Sequence, residues 1–251
     1  MIFAALAADY DGTLAENGHV AASTMEALRR LKSAGMRLIV VTGRWLEDLQ
    51  HAFDAEDLID AVVAENGAVV FLPKVELTLQ IGGPPPHALV QILHDRGVPH
   101  SIGRGIISTS QPHQMTALEA IRELGLDWHV VLNKGAAMVL PPGVNKATGL
   151  KAALVELELS PQAVVGIGDA ENDQAFLAWC GCSVAVANAL PALKAAADLI
   201  TKGEDGAGVR ELIDSWLRDE ELAFGELVRR KLDVVGPGQP VRRRRDVRPA
   251  I

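Results

Sequence analysis

Asp9 and Asp11, two carboxylates one residue apart, follow the uncharged run from Met1 to Ala8 and precede Gly12. Two acids this close are costly unless a cation shares their site. The pair reads either as a surface Asx-turn or as the carboxyl end of a buried strand opening onto a site, where α/β sheets bind ligands. Three more polar clusters match it. Thr42-Gly43-Arg44 follows the apolar run 36–41, Lys146 stands at a helix start, and Gly168-Asp169-Ala170-Glu171-Asn172-Asp173 follows the apolar run 163–167. Carboxylates suit a hard ion such as Mg²⁺. A hydroxyl, free N–H groups and a lysine at a helix start suit phosphate. A chain with both halves is equipped for phosphoryl chemistry, where the catalyst positions the phosphoryl group and neutralises its oxygens. Taken singly, Lys146 reads as a solvated surface lysine, and only the constellation reverses that.

The elements that position these clusters alternate. Apolar runs too continuous for half-exposed strands lie at 1–8, 36–41, 61–64 and 163–167, with helical spacing at 24–34, 45–53, 146–157 and 174–179. Strands alternating with helices predict an α/β fold: a Rossmann-like parallel sheet with helices on both faces. The pattern changes near Pro73. Residues 74–140 read as strand, helix, strand, helix, strand, strand, a small α+β cap domain inserted into a core formed by residues 1–73 and 141–217. Residues 218–251 read as a C-terminal helix and a basic tail holding Arg242 to Arg245, a run better suited to a solvated tail than to a binding site.

Composition narrows the function. The 251 residues are 49% hydrophobic with a net charge of −8. Residues 229–251 carry eight Lys and Arg against two Asp and Glu, which leaves −14 on the rest. An acidic body argues against a nucleic-acid partner. No apolar run approaches the ~18 residues of a membrane span, and the first eight residues lack the basic start of a signal peptide. Cys180 and Cys182, the only cysteines, sit in an apolar run and read as buried reduced thiols, consistent with a cytoplasmic location. The histidines of the insertion have no ligand spacing.

Asp9-Tyr10-Asp11-Gly12-Thr13-Leu14, Val41-Thr42-Gly43-Arg44, Lys146 and Gly168 to Asp173 resemble, in order and spacing, the four motifs of the haloacid dehalogenase superfamily of phosphohydrolases. The resemblance spans about residues 1 to 210. It implies Asp9 as the nucleophile that becomes an aspartyl phosphate. Asp11 becomes the general acid/base, lending its backbone carbonyl to Mg²⁺. Thr42 and the N–H of Gly43 become phosphate holders. Lys146 orients both Asp9 and the phosphoryl oxygens, Asp169 and Asp173 become metal ligands, and Asn172 hydrogen-bonds within this shell. Arg44 is assigned to substrate, with a sheet-edge cap as the alternative. Glu65-Asn66-Gly67 resembles a stretch at the cap hinge, or is a plain turn.

Only 30 residues separate Asp11 from Thr42, too few for a cap, whereas 103 separate Thr42 from Lys146. That placement resembles the branch with a type-two α+β cap. This branch includes Cof-like sugar phosphatases, sucrose- and trehalose-phosphate phosphatases, phosphomannomutases and archaeal phosphoglycolate phosphatases. The cap is at the small end, most like the phosphoglycolate or sucrose-phosphate type. The expectation is a Mg²⁺-dependent phosphatase of a small phosphorylated metabolite, acting as a monomer or homodimer. The alternatives are a phosphomutase on the same fold and a non-catalytic regulatory domain of a larger protein.

Overall fold

The computed structural model describes residues 3–55, 57–133 and 135–218. Its centre is β1 (Ala5–Asp9), five residues that are all buried and that pair in parallel on both sides. A strand covered on both faces and both edges has no use for polar residues until it ends, which is why Ala5 to Ala8 are apolar and Asp9 is the first charge. Then come α1 (Ala22–Ser33), β2 (Arg37–Val41), α2 (Leu46–Ala52), β3 (Ala61–Ala64), β4 (Val69–Leu72) and β5 (Leu77–Gln80). The insertion holds α3 (His87–Asp95), β6 (His100–Ile102), β7 (Ile107–Ser110), α4 (Gln114–Glu123), β8 (His129–Asn133) and β9 (Ala136–Leu140). The chain returns through α5 (Lys146–Glu156), β10 (Val164–Gly168), α6 (Gln174–Leu177), β11 (Cys182–Ala185), α7 (Pro191–Ala196), β12 (Leu199–Ile200) and α8 (Asp205–Arg218).

The large sheet has the order β12-β11-β10-β1-β2-β3-β4-β5. From β1 the chain moves through α1 to β2 on one side; from β10 it moves through α6 to β11 on the other. Right-handed crossovers in opposite directions put those helices on opposite faces. The order therefore reverses between β1 and β10, and a crevice opens beyond their carboxyl ends. Asp9 and Asp169 stand there.

The expected α/β core is present: the sheet is parallel from β12 to β3, and β4 and β5 add antiparallel strands at one edge. One expectation, the start of the insertion, needs correction. The alternation over 76–81, assigned to an inserted domain starting at 74, belongs to β5, the edge strand of the large sheet. An edge strand with one covered face alternates just as a strand of a small separate sheet would. The insertion's own sheet is β6-β7-β9-β8, all antiparallel, and α3 and α4 cover a core of Leu89, Leu93, Ile107, Ala117, Ile121 and Val139. The short strand β6 carries no sequence signal of its own. The expected helix over 220–232 and the basic tail lie outside the described residues. Among the described residues no helix is long and apolar enough to cross a membrane. Burial, with Cys182 nearby as a smaller cause, pushes the Cys180 thiol up to about 12.

Candidate active site

Four segments bring the site together. β1 delivers Asp9, whose carboxylate is buried. The loop after β10 delivers Asp169 and Asp173, both buried. Asp173 is fixed at close range: its Oδ2 accepts from the backbone N–H groups of Asp169 and Ala170, each at 2.9 Å. Gly168 allows this, because a Cβ there would lie 2.7 Å from that same oxygen.

The third segment, α5, delivers Lys146 as its first residue, and the fourth, the loop after β2, delivers Thr42. The Asn145 side chain accepts from the N–H groups of Ala147 and Thr148, and Thr148 returns a bond to the Asn145 N–H. That capping box fixes where the helix begins. A lysine at a helix N-terminus faces the positive end of the macrodipole, so the helix alone disfavours it. Its partners reverse that. The Lys146 Nζ, 1% exposed, donates to Asp9 Oδ1 at 2.5 Å and to Asp173 Oδ1 at 2.6 Å. α5 reaches this depth because Gly149 packs on Gly67. A Cβ on Gly67, whose φ is +100°, would lie 2.0 Å from the Asn145 carbonyl oxygen, and one on Gly149 would lie 2.5 Å from Gly67 Cα. Only a residue without a Cβ satisfies both the angle and the approach.

The electrostatics show what this cluster lacks. One oxygen each of Asp9, Asp169 and Asp173 lies within 4.8 Å of the others. Burial, reinforced by Asp173 and Asp169, pushes the Asp9 carboxyl well above the usual range, and Lys146 only partly offsets this. Burial opposes the Lys146 charge, but Asp173 and Asp9 outweigh it and hold its pKa above the ordinary value. Three buried carboxylates therefore cluster beside Lys146, which pairs with two of them, Asp9 and Asp173. The donor set is all oxygen and its spread is one a single divalent cation can bridge, so the residues fit a hard metal ion.

Every site residue read from the sequence is near this cluster, but two are arranged unexpectedly. Thr42 is buried after β2, and its Oγ1 accepts the Arg44 N–H at 3.1 Å. Gly43 lies under the Met138 side chain of β9. Arg44 grips Asp11: its Nε and Nη2 donate to the two carboxylate oxygens at 2.7 and 2.6 Å. The guanidinium also sits 4.9 Å from the Tyr10 ring centroid. The Asp11 side chain is thus turned to Arg44 and is not one of the three clustered carboxylates. Asn172 donates to Asn66 Oδ1 at 2.8 Å, and its own Oδ1 is buried without a hydrogen-bond partner.

Residues to which the sequence assigns no contact also enter the site, Thr13 in the first motif and Glu65 and Asn66 in the stretch that resembles a cap hinge. Thr13 Oγ1 donates to Asp169 Oδ1 at 3.2 Å, tying the loop after β1 to the loop after β10. Glu65 and Asn66 both take left-handed φ values, 51° and 52°. Such residues cost about 1–3 kcal/mol each and persist where surrounding structure holds them. A cleft of about 290 Å³ above the cluster is lined by Asp9, Asp11, Thr42, Gly43 and Arg44 from below and by Ser101, Ser108, Asn133 and Met138 from the insertion. Serines and asparagines in short exposed strands carry no distinguishing sequence signal, so these were not foreseen.

Buried acids around a lysine at the switch point of an α/β sheet, roofed by an inserted domain, suit phosphoryl transfer. A family model described as haloacid dehalogenase-like hydrolase matches residues 6–95 and 129–213, and the chain belongs to that family. Several of its relatives are named phosphoglycolate phosphatases. Phosphoglycolate phosphatase 2 of Saccharolobus solfataricus is 30% identical, with the match covering 84% of this chain and 91% of that protein. The phosphoglycolate phosphatase of Methanothermobacter thermautotrophicus is 32% identical over 83% of this chain and 96% of that protein. Among solved structures, a haloacid dehalogenase-like hydrolase from Bacteroides thetaiotaomicron superposes with a TM-score of 0.74 at 18% identity, covering 85% of this chain and 99% of that one. A subclass IIB sugar phosphatase of the same superfamily gives 0.71 at 20% identity, covering 85% and 98%. At these identities the structures speak for the fold alone.

Proposed function

We propose that the chain is a Mg²⁺-dependent phosphoric monoester hydrolase acting on a small phosphorylated metabolite, either a phosphoglycolate-like organic acid or a sugar phosphate. The observation that carries this reading is the trio Asp9, Asp169 and Asp173 around Lys146, beneath a cleft large enough only for a small molecule. Asp9 is the one trio member on the central strand facing that cleft. Its carboxylate attacks phosphorus, the bond to the leaving oxygen breaks, and an aspartyl phosphate forms. Lys146 holds the attacking carboxylate in place and offsets charge on the phosphoryl oxygens, and Thr42 with the Gly43 N–H binds those oxygens. Asp11 protonates the leaving alkoxide and then takes the proton of the water that releases phosphate. To do so its carboxylate must exchange Arg44 for the leaving oxygen, and the freed guanidinium then faces the substrate. The backbone carbonyl of Asp11, with Asp9, Asp169 and Asp173, would hold Mg²⁺, which when bound neutralises charge building on the phosphoryl oxygens. Asn172 orients this shell. The roof excludes water while the ester is bound.

Phosphoglycolate phosphatases among the relatives support a short organic acid, and Arg44 in the cleft wall suits a carboxylate on the leaving group. The thiols of Cys180 and Cys182 agree with work in a reducing cytoplasm, as a monomer or homodimer. The test is a panel of about a hundred phosphorylated metabolites with Mg²⁺. Phosphate release abolished by EDTA and restored by Mg²⁺ is expected. Conversion of a hexose phosphate to its isomer without free phosphate would indicate a mutase. Binding of Mg²⁺ and phosphate without turnover of any ester would indicate a regulatory domain.

A further inference from the structure

Glu65 has no part in the chemistry above, yet it is fully buried and holds a left-handed φ of 51° at the carboxyl end of β3. Its two oxygens both leave the large sheet. Oε1 accepts the Arg104 N–H at 3.0 Å and Oε2 accepts the Gly105 N–H at 2.8 Å. These N–H groups belong to the turn joining β6 to β7, which closes on itself through Gly103 N–H to the Ile106 carbonyl at 2.8 Å. The turn is shaped for this carboxylate. A Cβ on Gly103 would lie 2.5 Å from Glu65 Oε2, and one on Gly105 would lie 2.6 Å from Ala68 Cβ. Leading out of the turn, β6 and β7 pair Ser101 with Ser108, and both serines line the cleft over Asp9.

We propose that Glu65 is a positioning residue for substrate selection: it latches the β6–β7 turn to the large sheet and so fixes Ser101 and Ser108 over the phosphoryl site. A carboxylate accepting two adjacent backbone N–H groups is a stronger and more directional tie than apolar packing. A second tie crosses nearby, Glu47 to the Arg104 side chain, with Nε to Oε1 at 3.1 Å, but both side chains are about half exposed and solvent weakens it. The latch holds the leaving-group half of the site and leaves Asp9, Lys146 and Thr42 untouched. That selection matters to catalysis rests on the phosphatase reading; the latch itself does not.

Glu65→Gln tests it, since one acceptor becomes an NH₂ group facing a backbone N–H. In the full chain, hydrogen exchange across residues 100–108 should speed up about tenfold or more while the amides of β1 and β10 are unchanged. For the best metabolite from the panel, KM should rise about tenfold, while kcat/KM for p-nitrophenyl phosphate, whose leaving group needs little protonation, should move less than about threefold. Glu47→Gln should leave both readouts as they were. Unchanged exchange over 100–108, or parallel losses for both substrates alongside a general fall in protection, would overturn the proposal and leave Glu65 a structural acid. If Glu65→Gln does not fold, Gly103→Ala displaces the same carboxylate from the opposite side and should give the same pattern. If the wild-type chain hydrolyses no ester, the phosphatase reading fails and the exchange measurement alone decides the latch.

Discussion

Replacing Lys146 by methionine shortens the side chain by one atom and removes the buried cation that contacts Asp9 and Asp173. Carboxylates held within 4.8 Å of each other repel by about 3 kcal/mol per pair at an effective dielectric constant near 20. Removing one partner of a buried ion pair costs about 3–5 kcal/mol. The variant should therefore lose about that much stability in metal-free buffer at pH 8, as read by urea unfolding. The loss has a pH signature. The Asp9 carboxyl is already raised in the folded protein, and without Lys146 it rises further. Between the unfolded pKa of about 3.9 and the raised folded value, the folded state binds protons that the unfolded state does not. Stability must then fall as pH rises through that window, so the penalty should shrink toward pH 5. Millimolar Mg²⁺ should restore part of it by binding only the folded trio, while phosphatase activity stays at least about a hundredfold down. A variant as stable as wild type in EDTA, with no pH dependence of the difference, would refute the claim that Asp9 and Asp173 are buried as charges because Lys146 pairs with them.

Asp60 makes an independent prediction. It lies buried beneath β2 and β3, accepts from Lys32, Arg37 at 3.0 Å, Lys74 at 2.7 Å and the Leu38 N–H at 2.8 Å, and its pKa is lowered to about 2 although burial alone would raise it. Asp60→Asn should cost about 2 kcal/mol at pH 7. That difference should persist above pH 4 and vanish as pH falls through about 2, since a lowered folded pKa gives stability above the unfolded value; thermal unfolding across pH checks it. Gly67→Ala should cost at least about 3 kcal/mol, since its Cβ would stand 2.0 Å from the Asn145 carbonyl oxygen. Because relief of that clash moves α5, activity should fall more than stability predicts, and wild-type kcat in the folded variant would contradict the placement of Lys146 by this contact.

Most of the site was legible because its residues sit where strand physics makes them conspicuous. A parallel strand buried on both faces is uniformly apolar, so the first charge after β1 and β10 marks the sheet's ligand-binding edge. Lys146 was visible only through its partners, since a lysine at a helix start is ordinary in isolation. What stayed hidden depends on contacts between distant segments. The Arg44 grip on Asp11, the Thr13 bond to Asp169 and the Glu65 latch each join residues at least 33 positions apart. Nothing in local spacing encodes such pairs. The edge strand β5 was assigned to the insertion because alternation reports one covered face without saying which sheet provides it. β6, at three residues, is shorter than any periodicity can reveal.

The central claim is that Asp9 is the nucleophile of a phosphatase, and Asp9→Asn tests it most directly. With the best ester from the panel and saturating Mg²⁺, kcat should fall by at least about a thousandfold, with the circular dichroism spectrum and the unfolding transition of a folded protein retained. A folded Asp9→Asn protein that releases phosphate within about tenfold of the wild-type rate would contradict the account.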